Sequence, residues 1–145
     1  MKKNHDGEII YKIIDLIVDN EEKINWREIG SENRVVSKFA RQLRKKLNIT
    51  QLRKFFDEFV KIKSKLLENK EISLDKELYG NILPSIRYAK GRNLCPNNFV
   101  LFIEKGIEKV LEKDNKNIKK KRFDIFMKIL ESLVSYYKYY ESRDK

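Results

Sequence analysis

The stretch "NITQLRKFFDEF", residues 48–59, decides how the chain is read. Leu52, Phe55, Phe56 and Phe59 recur at the three- and four-residue spacing of one helical face, and the charged residues between them fall elsewhere on the cylinder. The spacing predicts a helix capped by Thr50 and running to about Asn69, with Ile62, Leu66 and Leu67 extending the apolar stripe. Three phenylalanines on that stripe make it the expected centre of the core. The same stretch puts Arg53 and Lys54 in the predicted first turn, where the positive end of the helix dipole prefers carboxylates. Two cations there ask for an anion, or for Asp57 one turn on as an internal partner.

Outward from this helix the period stays helical. Residues 8–18 carry Ile9, Ile10, Ile13, Ile14, Ile17 and Val18 on one stripe, which predicts a short amphipathic helix. "NEEKINWREIGSEN", residues 20–33, reads as a polar connection with a single turn at 26–29, where Trp26 is expected to plug the edge of the core. A second helix is expected from about Glu32 to Lys46, burying Val35, Val36, Phe39, Ala40, Leu43 and Leu47 and showing Lys38, Arg41, Arg44, Lys45 and Lys46 outside. Ser73 can cap a further helix that Gly91 would close in the left-handed conformation. Pro84 inside it predicts a kink or a restart near Leu83, since its ring clashes with the carbonyl of Gly80.

The last third continues the pattern. A helix from Pro96 or Asn97 to about Lys113 buries Phe99, Phe102, Ile103, Ile107, Val110 and Leu111, and its Glu104 and Glu108 are read as pairing with Lys109 and Lys105. The final helix, Asn117 to about Ser142, carries Phe123, Phe126, Met127, Leu130, Leu133, Val134 and Tyr137 on its main stripe, with Tyr136, Tyr139 and Tyr140 off it. No period-two segment occurs. The expectation is an all-α fold, a compact bundle of about five to six helices without a sheet, and one domain over residues 1–145.

Composition limits the chemistry. With 41% hydrophobic and 38% charged residues, the chain has the balance of a globular protein with a densely charged surface. Its net charge of +11 is uneven: residues 1–33 sum to −3, residues 34–92 to +10 and residues 93–145 to +4. Concentrated positive charge favours phosphate polymers, although a Lys-rich solubilising surface reads the same way. Cys95 is the only cysteine and His5 the only histidine, so no internal disulfide and no Cys/His metal set is expected, and a reducing compartment fits. Asp6, Glu8, Lys12 and Asp15 interrupt the first apolar run, which argues against a signal peptide or membrane span. A Ser or Cys nucleophile would lack a base, and the five isolated glycines form no phosphate-cradling loop. The expectation is a binding protein with no catalytic residues, no metal and no cofactor.

Two basic segments are candidates for that binding. At the start of the third helix, Thr50, Gln51, Arg53 and Lys54 outline a phosphate site. "SIRYAKGR", residues 85–92, places Arg87, Lys90 and Arg92 at a helix C-terminus, where cations also serve the helix dipole; Tyr88 can either stack on a base or cover the core.

"TQLRKFFDEF" (50–59), "ILPSIRYAKGR" (82–92) and "ESLVSYYKYYES" (131–142) together resemble the small subunit of the Csm-type (type III-A) CRISPR effector complex. In that family a Gln-[Ile/Leu]-Arg-[Lys/Asn]-Phe-[Tyr/Phe] helix start, a Leu-x-Pro-x-Leu-x-Tyr-x-x-Gly-Arg segment and a Tyr-rich last helix recur in this order. The resemblance covers about residues 48–141 as a helical core, and residues 1–47 match only in being helical. It implies a cytoplasmic, non-catalytic helical subunit of an antiviral ribonucleoprotein, stacked in several copies of itself beside the backbone and large subunits. Guide RNA and target RNA are the implied partners, with no membrane. The family's basic positions carry over to Arg53, Lys54, Arg87, Lys90 and Arg92, joined by Arg44 and Lys45 on the basic side of the preceding helix. Ile86 and Arg87 depart from the Leu-Ala common before the Tyr, which puts more weight on Arg92 than on Arg87. Two rival readings use the same residues: a helix-turn-helix-like DNA binder displaying Arg34, Lys38, Arg41 and Lys45, and a helical protein-interaction module.

Overall fold

The computed structural model describes residues 5–68 and 71–144, with side chains from Gly7 onward; the side chain of His5 lies outside the described residues. Among them the chain is all-α and has no strand. The helices are α1 (His5–Ile14), α2 (Trp26–Gly30), α3 (Val35–Leu43), α4 (Ile49–Leu67), α5 (Leu83–Gly91), α6 (Asn97–Leu111) and α7 (Lys116–Arg143), with a π-helical segment, Lys76–Ile82, running directly into α5. The long α7 is the spine: α2, α3, α4 and α6 all pack on it, while α1 lies on α3 and α6, and α5 on α6.

The core is a chain of phenylalanines in which each helix contributes at its apolar spacing. Phe39 of α3 meets Phe102 of α6 at 5.2 Å between centroids, Phe102 meets Phe126 of α7 at 5.4 Å, and Phe126 meets Phe59 of α4 edge-on at 5.5 Å. Phe55 reaches Phe99 at 6.0 Å. Such tilted and edge-on pairs add to the burial energy of the rings. The predicted stripes of α6 and of α3 are buried as expected, apart from the half-buried Val35. Phe56 is likewise half-buried, so the core centre is shared among α3, α4, α6 and α7 and not concentrated in α4.

Several local expectations are corrected. Asn48, not Thr50, is the N-cap of α4: its side-chain oxygen accepts the Thr50 N–H at 2.6 Å, and the helix starts at Ile49. Arg53 and Lys54 therefore sit in the second turn, where the dipole field has fallen off, and their placement carries little penalty. Leu67, the last helical residue, is 71% exposed because the neighbours that cover the stripe have ended. Trp26 is 53% exposed at the mouth of an open cavity and does not plug the core; Ile29, one turn later, is the residue that α2 buries. Tyr140 is buried, since Leu133, Tyr137 and Tyr140 continue the α7 stripe and Arg41 of α3 covers the Tyr140 ring at 4.9 Å. α1 and α3 each end earlier than their periodicity suggests, closing in tighter turns at 16–17 and 44–46.

Pro84 is accommodated by a widened helix. The Leu83 N–H bonds the Leu78 carbonyl, five residues back, so the backbone passes the proline without breaking and α5 restarts at Leu83. Ser73 caps this helix as expected, accepting from the Lys76 N–H at 3.2 Å. Its far end is not closed by a left-handed Gly91: Gly91 is helical, and Asn93 takes the left-handed conformation at φ 59°. Leu94 N–H to Ala89 O and Asn93 N–H to Lys90 O, both 2.9 Å, complete a Schellman closure.

Candidate nucleic-acid interface

Three lysines converge where α3 ends, α5 ends and α6 begins. Lys45 and Lys46, in the turn after α3, and Lys90, in the last turn of α5, line one open cleft of about 620 Å³. Gln42, Asn93, Cys95, Pro96, Asn97 and Asn98 complete its wall, and no carboxylate lines it. All three lysines are exposed and have no carboxylate partner. Pro96 leads into α6, so the first amides of that helix open on the same side. Lys54 stands close by: burial pushes the Cys95 thiol up, and Lys54 pulls against that shift. Concentrated cations, free amides and carboxamide side chains form a surface suited to a polyanion.

The sequence-derived candidates fall into three states. Lys45, Lys90 and Arg53 are exposed and unpaired; in particular Arg53 makes no ion pair with Asp57. Lys54 and Arg92 rest on rings, Lys54 Nζ 5.2 Å from the Phe55 centroid and the Arg92 guanidinium 5.8 Å from that of Tyr88. Arg44 and Arg87 are engaged by carboxylates: Arg44 lies 3.5 Å from Asp144 at the end of α7, and Arg87 pairs with Glu104 across the α5–α6 contact. Glu104 thus goes to Arg87 and not to Lys109, whereas Glu108 pairs with Lys105 as expected.

The basic face of α3 is partly occupied in the same way. Arg34 pairs with Glu28, and Arg41 with Asp144 at 3.1 Å. Half of the row that a helix-turn-helix reader would present to a groove, Arg34 and Arg41, is held by the protein's own acids, and α2, the helix that would brace it, has five residues.

One residue that matters to the architecture escaped the sequence reading. Arg122 is buried on α7, where it donates from Nη1 to the Lys109 carbonyl at 2.6 Å and pairs with Asp19 and Glu112. The Arg122 hydrogen bond, and next the one from Lys113, hold the Asp19 carboxyl well below the usual carboxylate range. Within "NKNIKKKR" Arg122 looks like one more solvated cation; its spacing of four from Phe126 was the available signal. The Tyr-rich end of α7 is also structural: Tyr136 Oη donates to the Gly30 carbonyl at 2.7 Å, Tyr137 Oη donates to that of Leu47, and Arg143 pairs with Glu32.

Among the described residues no cluster of His, Cys, Asp and Glu is placed to hold a metal ion, and no helix is long and apolar enough to cross a membrane. The family model described as Csm2 Type III-A matches residues 28–143, a span that begins within α2 and takes in α3 to α7 and all the cleft residues. No curated protein and no solved structure matches the chain.

Proposed function

This chain belongs to the type III-A Csm2 family, the small subunit of the Csm effector complex, and from that premise we propose that it binds the backbone of guide RNA and target RNA through the lysine cleft, as a non-catalytic subunit stacked in several copies. In this reading Lys45, Lys46 and Lys90 meet phosphates, and Arg53, Lys54 and Arg92 extend the contact beyond the cleft. The observation that carries it is the cleft itself, three unpaired lysines from two separate segments with no carboxylate in the wall. A guide specifies sequence by base pairing, so a small subunit needs contacts to backbone and shape alone, and lysines supply those. The backbone and large subunits would hold the row in place, in the cytoplasm and in antiviral defence. A few phosphate contacts per copy give weak binding alone and tight binding when copies act in line.

The test is RNA retention by the reconstituted complex across a salt series. Lys45→Gln with Lys90→Gln should flatten the log–log salt slope by about 1.5 per subunit, because each lost phosphate contact removes about 0.7 to 0.9. An unchanged slope with intact folding sinks the cleft as the RNA surface. Preferential binding of one duplex DNA sequence over RNA would return the helix-turn-helix reading.

A further inference from the structure

We propose that Tyr88, held in place by Arg92, is a stacking platform for one unpaired nucleobase of the bound RNA; this deepens the RNA reading above and rests on it. Tyr88 is 66% exposed, the most exposed aromatic ring among the described residues. Its orientation is nevertheless fixed. The Arg92 guanidinium lies over the ring at 5.8 Å from the centroid, and Arg92 Nη1 donates to the Tyr88 hydroxyl at 3.2 Å. The backbone beneath is equally fixed, since Ile86 and Ala89 are buried on either side and the Asn93 closure locks the helix end. A rigid ring with a solvated face and a cation at its side is the arrangement by which proteins stack single-stranded bases.

The other exposed rings lack this setting: among the described residues, no cation lies over the rings of Tyr11, Trp26 or Tyr79. Trp26 borders a cavity whose wall sets Asp19, Glu21, Glu22, Asp124 and Glu131 against Lys63, Lys121 and Lys128. Acids outnumber bases there, and Lys63 and Lys128 are already paired to Asp124 and Glu131, so the wall suits phosphate less well than the lysine cleft does. Tyr139 packs edge-on against Tyr136, and its hydroxyl is shared between Arg143 and Glu32. Tyr88 alone shares its helix with a lysine of the cleft, Lys90; the two lie about 200° apart around the axis, so a strand whose phosphates rest on Lys45, Lys46 and Lys90 reaches the ring by passing round the end of α5 beside Arg92. Bases inside an A-form duplex are stacked on both faces, so a protein ring finds a base face only where the pairing is interrupted or the strand is single. The platform therefore commits this subunit to a nucleotide outside the continuous guide–target helix.

The test is photocrosslinking in the reconstituted complex, with 5-iodouridine placed singly at successive positions of the guide and target strands. Iodouridine joins preferentially to an aromatic side chain stacked on it. The expected result is a crosslinked peptide containing Tyr88 from a restricted set of positions, kept in Tyr88→Phe and reduced tenfold or more in Tyr88→Leu. RNA affinity should fall about fivefold or more in Tyr88→Leu and much less in Tyr88→Phe. If Phe and Leu lose the same amount, the ring serves only to hold Arg92 through its hydroxyl, and the platform is refuted. Crosslinks that map elsewhere while RNA is still retained through Lys45 and Lys90 refute it too. Retention that ignores both lysines and Tyr88 instead overturns the RNA reading on which the platform rests.

Discussion

Gly106→Ala is the substitution for which helix propensity and packing predict opposite signs. Gly106 lies well inside α6, where alanine should be better than glycine by about 1 kcal/mol on propensity alone. A Cβ at this position, however, would stand 2.4 Å from Phe126 Cε1 and 2.5 Å from Cζ, about 1 Å inside ordinary contact. The Phe126 ring cannot simply swing away, because Phe59 and Phe102 pack against it at 5.5 and 5.4 Å. Relief requires α6 and α7 to part or the aromatic chain to repack. Overpacking of this kind costs about 1–3 kcal/mol, and here the upper half applies because the obstacle is a ring in a fixed cluster. After the propensity gain the net loss should be about 1–2 kcal/mol, which lowers the Tm of a chain this size by about 3–8 °C. Thermal and urea unfolding followed by circular dichroism measure it directly. A Gly106→Ala protein with an equal or higher Tm would refute the close α6–α7 approach and the central place given to Phe126.

Gly91→Ala should do the reverse, raising stability by about 0.5–1 kcal/mol in the same unfolding assay, since Gly91 is helical and nothing lies within 4 Å of its added Cβ. Asn93→Ala should cost about 1 kcal/mol, because residue 93 holds the positive φ. Asp19 predicts an acid-sensitive clamp: its carboxyl is held below its ordinary value of 3.8, so its contribution is fully present above about pH 4 and is lost as the pH falls from there toward its lowered value. Wild type should therefore melt above Asp19→Asn at neutral pH, and the gap should narrow below pH 4; a gap constant through acid would show that the Arg122–Asp19 pair does not titrate with folding.

The long-period information in the sequence was enough for the helices, because α4, α6 and α7 each repeat their apolar residues over several turns and the packing buries most of those stripes. Single-residue decisions were less legible, since several residues of similar chemistry compete for each special position. Asn48 and Thr50 can both cap a helix, and Asn48 wins because the chain is already helical at Ile49. Gly91 and Asn93 can both end one, and the helix runs on until Asn93 because Gly91 can be helical as well as left-handed. Arg122 depends on Asp19, 103 residues away, and no local spacing carries that. The cleft has the same origin: Lys45 and Lys90 were each named from local charge, but their meeting is a product of how α3 and α5 flank the start of α6.

The chain's surplus of positive charge becomes informative once the internal pairs are removed from it. Arg34, Arg41, Arg44, Lys63, Lys65, Arg87 and Arg122 each face a carboxylate, and most of these pairs tie one helix to another. Those cations already have their counter-charge, and an incoming phosphate would have to displace it. Lys45, Lys46, Arg53 and Lys90 have none, so their charge is balanced by mobile ions alone, and release of those ions is what drives binding to a polyanion. On this criterion Arg44 and Arg87 belong with the fold, and Lys45, Lys90 and Arg53 with the proposed RNA-binding cations. The charge pair in "NITQLRKFFDEF" divides the same way: Lys54 covers Phe55 and counters the burial of Cys95, while Arg53 stands free without the help of a helix terminus. Its value to the proposed surface therefore lies in being unpaired, and not in the dipole that first made it conspicuous.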